Sequence, residues 1–211
     1  MRQDSPHHPH EIPRGYPREH ERELRLSDGR TVLIRPIVPA DAEQLADAIR
    51  TADRDTVRRR FLGGPPHITP TLLAHLCVVD YRKRFALVAG EPRTGRGIAL
   101  ARYETTADGV ADVAVAVDPE WRRAGLATAL IELLAQAALD RGIHTFSAYY
   151  FAENRPVAAL LGLAGTGGRQ IIKEGFAEAV VALDRPDVDA AVEQLNRGGH
   201  RRPSSPRRSG T

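Results

Sequence analysis

The chain has 211 residues, of which 42% are apolar and 27% charged, as is typical of a soluble globular protein large enough for one good hydrophobic core. Its net charge of +3 depends on five arginines that follow the last acidic residue, Glu193, and without them the net charge is −2. The folded part is therefore not a basic nucleic-acid binder. These arginines are Arg197, Arg201, Arg202, Arg207 and Arg208.

The sequence also argues against membrane and secreted proteins. No apolar stretch approaches the length of a membrane span, and the N-terminus carries charges and prolines where a signal peptide has an apolar segment. The single cysteine, Cys77, excludes an internal disulfide and fits a reducing compartment. We therefore expect a cytoplasmic protein with no membrane partner, as a monomer or a homodimer.

Both ends of the chain differ from its middle in composition. Residues 1–20 are rich in proline, histidine and charge, which predicts a disordered tail. His7, His8 and His10 lack other soft ligands nearby, so no metal site is predicted. Residues 185–196 are predicted as a short terminal helix, and residues 197–211 as a disordered basic tail. Contact of that tail with RNA or anionic lipid is an alternative to a solvated tail. Residues 21–184 form the predicted domain.

The first half of this domain is predicted to be a hairpin followed by helices. Residues 23–26 and 30–35 alternate around Ser27-Asp28-Gly29, which predicts two strands joined by a turn. Apolar residues at helical spacing then predict three helices, over residues 39–50, 55–61 and 69–76. Their boundaries are set by prolines and glycines.

The second half alternates between strands and helices. Residues 85–89, 97–104 and 110–117 predict a meander of three strands. A long helix follows, and then a strand over residues 144–150 and a helix over residues 154–163. Two last strands are predicted near residues 170–173 and 176–183. This order predicts a mixed α/β (α+β) fold.

The junction between the third meander strand and the long helix carries a signal for anion binding. The strand ends at Asp118-Pro119, and we expect the helix to start near Arg122. Arg122 and Arg123 would then place cations where the helix dipole favours anions, and Gly125 would weaken the first turn. An anion bound to the first main-chain N–H groups explains all three residues. The alternative is a surface helix with incidental arginines.

A series of motifs resembles a known family. Residues 122–127, Arg-Arg-Ala-Gly-Leu-Ala, fit the Arg/Gln-x-x-Gly-x-Gly/Ala signature of the GNAT N-acyltransferase superfamily. Val-Leu-Ile-Arg-Pro at 32–36, Arg-Phe-Leu-Gly at 60–63, Val-Asp-Tyr at 79–81 and Glu-Asn-Arg-Pro at 153–156 occur in the order found in the acetyltransferase domain of Pat-type bacterial protein lysine acetyltransferases. The resemblance implies a GNAT-like, mostly antiparallel sheet of six to seven strands flanked by helices.

The resemblance also implies acetyl-CoA as co-substrate and no metal. Its pyrophosphate would bind the main-chain N–H groups after Trp121, with the two arginines as counter-charges. Its pantetheine amides would pair with the edge of the third meander strand, and an asparagine would bond to the same arm. The implied coenzyme residues are Val115, Ala116, Val117, Arg122, Arg123, Ala124, Gly125, Leu126, Ala127, Thr128 and Asn154.

Catalysis requires a base for the amine and a proton for the leaving thiolate. Asp112 is the candidate base, because it occupies the position where Pat-like domains carry a catalytic glutamate. A turn aspartate at the strand entry is the alternative, and Glu104 on the preceding strand is the reserve base. The tyrosine that many GNAT enzymes use as the acid is missing. Tyr149 or Tyr150 is the substitute, unless both only pack.

We therefore expect an acetyl-CoA-dependent N-acetyltransferase that acts on a primary amine, with a protein lysine as acceptor. Direct attack by the amine would be assisted by the carboxylate base. A small-molecule amine is the alternative acceptor. A catalytically silent acyl-CoA sensor stays open as well, because Asp112 is shorter than glutamate and the family tyrosine is absent.

Overall fold

The computed structural model describes residues 12–198, without the side chains of residues 163, 164, 166 and 167. Its centre is one sheet of eight strands, in the order β1-β2-β3-β4-β5-β6-β8-β7. The strands are β1 (Arg22–Arg25), β2 (Thr31–Pro36), β3 (Arg84–Gly90), β4 (Gly97–Ala107), β5 (Val110–Val117), β6 (Thr145–Phe151), β7 (Thr166–Lys173) and β8 (Phe176–Ala182).

Helices cover both faces of the sheet. They are α1 (Ala42–Thr51), α2 (Arg54–Phe61), α3 (Pro70–Cys77), α4 (Leu126–Leu139), α5 (Arg155–Ala164) and α6 (Arg185–Asn196). No helix within residues 12–198 is long and apolar enough to cross a membrane.

Two apolar clusters hold these layers together. The larger one lies between the sheet and α4, where Leu130 and Leu134 pack among buried strand residues such as Phe146. The smaller one lies on the opposite face and joins Ile37, Leu76 and neighbouring residues of α1 and α3 to β3 and β4. Alternation along each strand sends successive side chains to the two faces, so a strand buried on both faces needs apolar residues in succession.

The predicted mixed, mostly antiparallel sheet is confirmed, with eight strands instead of six to seven. All neighbouring strands pair antiparallel except β5 and β6, which pair in parallel across the connection through α4. The extra length at the end of the sheet comes from β7, which begins at Thr166 inside the glycine-rich stretch. A side-chain carbon on Gly165 would lie 1.9 Å from the carbonyl oxygen of Ala182, so only glycine permits this approach.

The predicted boundary of the N-terminal tail differs from the structure. Residues 1–11 lie outside the described residues, but Tyr16 and His20 are buried, and the rings of these two residues contact Tyr81 and Phe85. Burial lowers the pKa of His20 to about 4, so it packs as a neutral ring. At the other end, α6 packs on α4 through residues such as Val188 and Val192, and the predicted basic tail from residue 199 onward lies outside the described residues.

Candidate active site

The central feature of the site is a separation of two parallel strands. The pairing of β5 with β6 ends at Asp112 and Ser147, and the following residues of both strands diverge. The gap is a cleft of about 980 Å³, lined on one side by Val113–Val117 and on the other by Ala148, Tyr149 and Tyr150. Main-chain groups on the β6 side of β5 are thus free to pair with a ligand that carries amides.

A run of free main-chain donors lies at one end of this cleft. Among the described residues, no hydrogen bond is made by the N–H groups of residues 123–128. Gly125, with a φ of 87°, is the N-cap of α4, and its conformation turns the chain into the helix. Such consecutive donors at a helix N-terminus form a site for an anionic phosphate.

The predicted start of the long helix is wrong by several residues. A 3-10 turn at Pro119–Trp121 is followed by a loop, and α4 begins only at Leu126. The sequence pattern missed this because Arg123 adopts a φ of 64°, a conformation that a residue with a side chain rarely adopts. The arginines therefore lie in the loop that leads into the helix, which gives the donors a concave path around an anion.

The two arginines of this loop have different surroundings. Arg122 donates from Nε to the carbonyl oxygen of Val117 at 3.0 Å and from Nη2 to the hydroxyl of Thr56 on α2. Its Nη2 also lies 3.9 Å from Asp53. Arg123 is exposed and has no ion pair among residues 12–198. Arg123 is therefore the freer counter-charge for an anion, and Arg122 links the loop to α2.

Two buried polar residues line the cleft beyond the loop. Thr128 is buried on the first turn of α4. Asn154 is the N-cap residue of α5, but its side chain makes no capping hydrogen bond. Its Oδ1 instead accepts from Arg59 at 3.3 Å. A residue at a cap position whose amide faces a cleft is available to a ligand.

The two candidate bases form a cross-strand pair. Glu104 on β4 lies directly opposite Asp112 on β5. Glu104 is occupied: it pairs with Arg102 at 3.0 Å and with His75 at 3.1 Å. Asp112 makes no hydrogen bond or ion pair to any described residue, and desolvation together with Glu104 raises its pKa, against the opposing charges of Arg60 and Arg102. Asp112 is therefore the carboxylate free to accept a proton.

The tyrosines on β6 differ in their availability. Tyr150 is buried in the cleft, where its hydroxyl accepts a 3.0 Å hydrogen bond from Gln170 Nε2 and burial raises its pKa. Tyr149 is 53% exposed and stacks on Phe176. Both tyrosines line the cleft, and Tyr150 keeps its own hydroxyl proton, because its oxygen only accepts from Gln170.

Sequence reasoning missed the contribution of α2. Arg58 on this helix pairs with Glu153 at 2.8 Å and Arg59 contacts Asn154, so α2 crosses the mouth of the cleft. A second cleft of about 630 Å³ lies between α2, α1 and the sheet. Thr56, Arg60, Ala116, Val117 and Pro119 line both clefts. The sequence feature that could have indicated these contacts is the run of three arginines, Arg58-Arg59-Arg60, in the last turn of a short helix.

Histidine, cysteine and carboxylate side chains do not cluster as metal ligands anywhere in residues 12–198. His7, His8 and His10 lie outside the described residues.

The known sequences that resemble this chain are acetyltransferases. The model of the acetyltransferase (GNAT) family matches residues 66–163. An acetyltransferase of Pseudomonas aeruginosa is 30% identical over 148 residues, which cover 69% of this chain and 80% of the relative. The acetyltransferase Pat of Mycolicibacterium smegmatis is 26% identical over 168 residues, which cover 79% of this chain but only 49% of the relative. The chain thus spans about half the length of that Pat protein.

Solved structures give the same result for the fold. The GNAT domain of S. lividans PAT superposes with a TM-score of 0.71 at 28% identity, covering 80% of this chain and 99% of that domain. A cAMP-binding acyltransferase from Mycobacterium smegmatis has a TM-score of 0.56 at 21% identity, covering 84% of this chain and 54% of that protein. Spermidine N-acetyltransferase from Vibrio cholerae, solved with CoA and spermine, has a TM-score of 0.56 at 13% identity, covering 72% of this chain and 95% of that protein.

Proposed function

The chain belongs to the GNAT acetyltransferase family, whose co-substrate is acetyl-CoA, and from that premise we propose that it transfers an acetyl group to the side-chain amine of a protein lysine. The observation that carries this proposal is the run of free N–H donors at residues 123–128, which opens onto the unpaired edge of β5 and leads toward Asp112. A pyrophosphate, a chain of amides and a reacting carbonyl follow each other in the same order along acetyl-CoA.

In this proposal the pyrophosphate binds the main-chain N–H groups of residues 123–128, with Arg123 as its counter-charge. The pantetheine arm lies between β5 and β6. Its amides pair with the edge residues Val115, Ala116 and Val117, and Asn154 offers a further hydrogen bond. A main-chain N–H of this edge polarises the thioester carbonyl. Burial of the arm in the cleft excludes water from the thioester.

The acceptor amine attacks the thioester carbon directly. A lysine amine is protonated at neutral pH, because its pKa is about 10.4, and it must lose a proton to react. Asp112 takes this role as the unpaired carboxylate at the apex of the strand separation. Its raised pKa favours proton uptake relative to an ordinary aspartate. Glu104 holds Arg102 and His75 instead, which supports a structural role for the reserve base.

The choice of a protein acceptor has two supports. The motifs resemble those of Pat-type protein lysine acetyltransferases. The sheet face beyond Asp112 is also open: Tyr149 and Val180 on β6 and β8 are 53% and 36% exposed. A polypeptide segment has room to lie there, whereas a small amine needs no such surface. The proposal includes a cytoplasmic location, in keeping with the free buried thiol of Cys77.

Thiol release from acetyl-CoA tests the proposal. We expect turnover with lysine-containing protein or peptide and little with free small amines. Turnover with small amines alone would move the acceptor to the small-molecule class. Tight coenzyme binding with no thiol release for any acceptor would replace the enzyme with an acyl-CoA sensor.

A further inference from the structure

Arg60 differs from its two neighbours on α2 because it forms no ion pair with a described residue. Its helix neighbours are paired, Arg58 with Glu153 and Arg59 with Asp55, each at 2.8 Å. Arg60 makes no hydrogen bond or ion pair to any residue within 12–198, and its guanidinium lies 5.2 Å from the ring centre of Phe61. The charge of Asp112 acts on Arg60 without forming an ion pair. A half-buried guanidinium whose anion stays at a distance is costly unless a ligand completes the pair.

The position of Arg60 indicates where that anion arises. Five residues line both clefts, and Arg60 is the charged one among them. If the first cleft holds the coenzyme and the second faces the acceptor, the two substrates approach each other beside Arg60, and the charge of Arg60 acts on Asp112, the proposed base. Arg60 therefore lies where the reaction develops negative charge. Burial and the charge of Arg102 lower the pKa of Arg60 to about 10, against the opposing charge of Asp112, so Arg60 stays cationic at neutral pH.

We infer that Arg60 stabilises the thiolate that leaves when the acyl group is transferred. As the amine nitrogen bonds to the acyl carbon, the carbon–sulfur bond breaks and its electron pair stays on sulfur. Asp112 passes the first proton of the ammonium to solvent and then takes the second proton from the nitrogen as the amide forms. The thiolate is stabilised by the guanidinium and takes a proton from water on release. Arg60 thus supplies by charge what a tyrosine acid would supply by proton transfer. This inference rests on the proposed acyl transfer.

The proton equilibrium of bound coenzyme A gives a test that needs no acceptor. The ultraviolet absorbance of the thiolate is titrated against pH for the wild-type complex and for Arg60→Gln, with S-methyl-coenzyme A complexes as blanks. Cys77 does not interfere, because burial raises its pKa to about 11. We expect the thiol pKa to be about 1 unit lower in the wild type. Equal thiol pKa values in the two complexes would overturn the inference.

Turnover gives the second test. Arg60→Gln should lower kcat on the order of 100-fold, with coenzyme affinity and acceptor KM little changed. Arg60→Lys should retain more activity, and guanidinium should partly rescue Arg60→Ala. Arg54→Gln, on the exposed first residue of the same helix, is the matched control. A loss confined to acceptors with a negative group near the amine would show that Arg60 binds the acceptor, and would overturn a role at the thiolate.

The outcomes separate this inference from the proposed function. If wild-type protein binds coenzyme A but releases no thiol with any amine, the acyl transfer fails, and the thiol titration still decides the role of Arg60. If Arg60→Gln does not fold, Arg60→Lys and the rescue of Arg60→Ala decide it. If wild-type protein takes up no coenzyme A, both proposals are overturned.

Discussion

Glu104 and Asp112 face each other across β4 and β5, yet of the two only Glu104 contacts described partners directly, namely Arg102 and His75. This asymmetry divides the two carboxylates into a structural member and a reactive member. A single pair of neighbouring strands therefore carries both the ion pair that fixes the cleft wall and the group that we assign to proton transfer.

Replacement of Asp112 tests that assignment. Asp112→Asn should lower kcat by about 100-fold or more, because the amide cannot accept the amine proton, while the Kd for acetyl-CoA stays unchanged. Steady-state kinetics and calorimetry measure the two quantities. Turnover equal to that of the wild type would remove Asp112 from the mechanism.

Asp112→Asn should also be more stable than the wild type, by an amount that depends on pH. The pKa of Asp112 is raised in the folded protein, so the folded state binds this proton more tightly than the unfolded state. Stability from this residue is therefore lost as the pH rises above its unfolded pKa of about 3.9. Asp112→Asn does not titrate, so its Tm should exceed that of the wild type at neutral pH, and the difference should vanish below that pKa. A variant that melts lower at pH 7 would contradict this.

Glu104→Gln should lose stability and keep most of its turnover, the opposite of what we expect for Asp112→Asn. It leaves the buried guanidinium of Arg102 without its carboxylate. We expect a loss of about 1 to 2 kcal/mol in the free energy of unfolding, a modest value because Glu104 is partly exposed. Urea unfolding measures this loss. Turnover should fall far less than in Asp112→Asn, and an equal fall in both variants would make Glu104 a catalytic partner.

Gly125 and Gly142 form a matched pair at the two ends of α4. Both have positive φ, 87° and 77°, so a side chain strains the main chain equally at either position. Gly125→Glu places a carboxylate beside the proposed pyrophosphate site and should weaken coenzyme A binding at least about 100-fold, or about 2.7 kcal/mol. Gly142→Glu has open space around its side chain and should keep full affinity. Similar losses in both would mean that strain, not the ligand, sets the effect.

Asn154 and Asp184 separate ligand binding from helix capping. Both are N-cap residues, but only the Asp184 side chain caps its helix, by accepting from the N–H of Asp187. Asn154→Ala should weaken coenzyme binding about 10-fold and leave Tm nearly unchanged. Asp184→Ala should cost about 1 kcal/mol of stability and leave binding unchanged. If Asn154→Ala lowers Tm instead, its role is structural.

Much of the fold could be predicted from local pattern. The period changes at β5 and α4, together with turns such as Ser27-Asp28-Gly29, fixed the order of the elements, because alternation and turn chemistry are local properties. The start of α4 could not be predicted in this way, because Arg123 adopts a positive φ that sequence patterns assign to glycine. β7 was predicted too short because it starts within a glycine-rich stretch, Gly165-Thr166-Gly167-Gly168, and the strand conformation of this stretch depends on contact with β8.

The candidate site was predicted less completely. Motif resemblance identified Asp112, Asn154 and the loop residues, because they occur in sequence order. The partners of Glu104 and the surroundings of Arg60 depend on α2 and α3 folding against the sheet, and no local pattern records those contacts. The side-chain link between Arg122 and Thr56 joins residues far apart in the chain for the same reason.

The central claim is that the N–H groups of residues 123–128 hold the pyrophosphate of coenzyme A. Calorimetric titration of the pure, folded protein with coenzyme A, and in parallel with pantetheine, tests it most directly. We predict saturable binding of coenzyme A and at least about 100-fold weaker binding of pantetheine, which lacks the pyrophosphate. Equal affinities for the two, or no uptake of coenzyme A, would contradict the account.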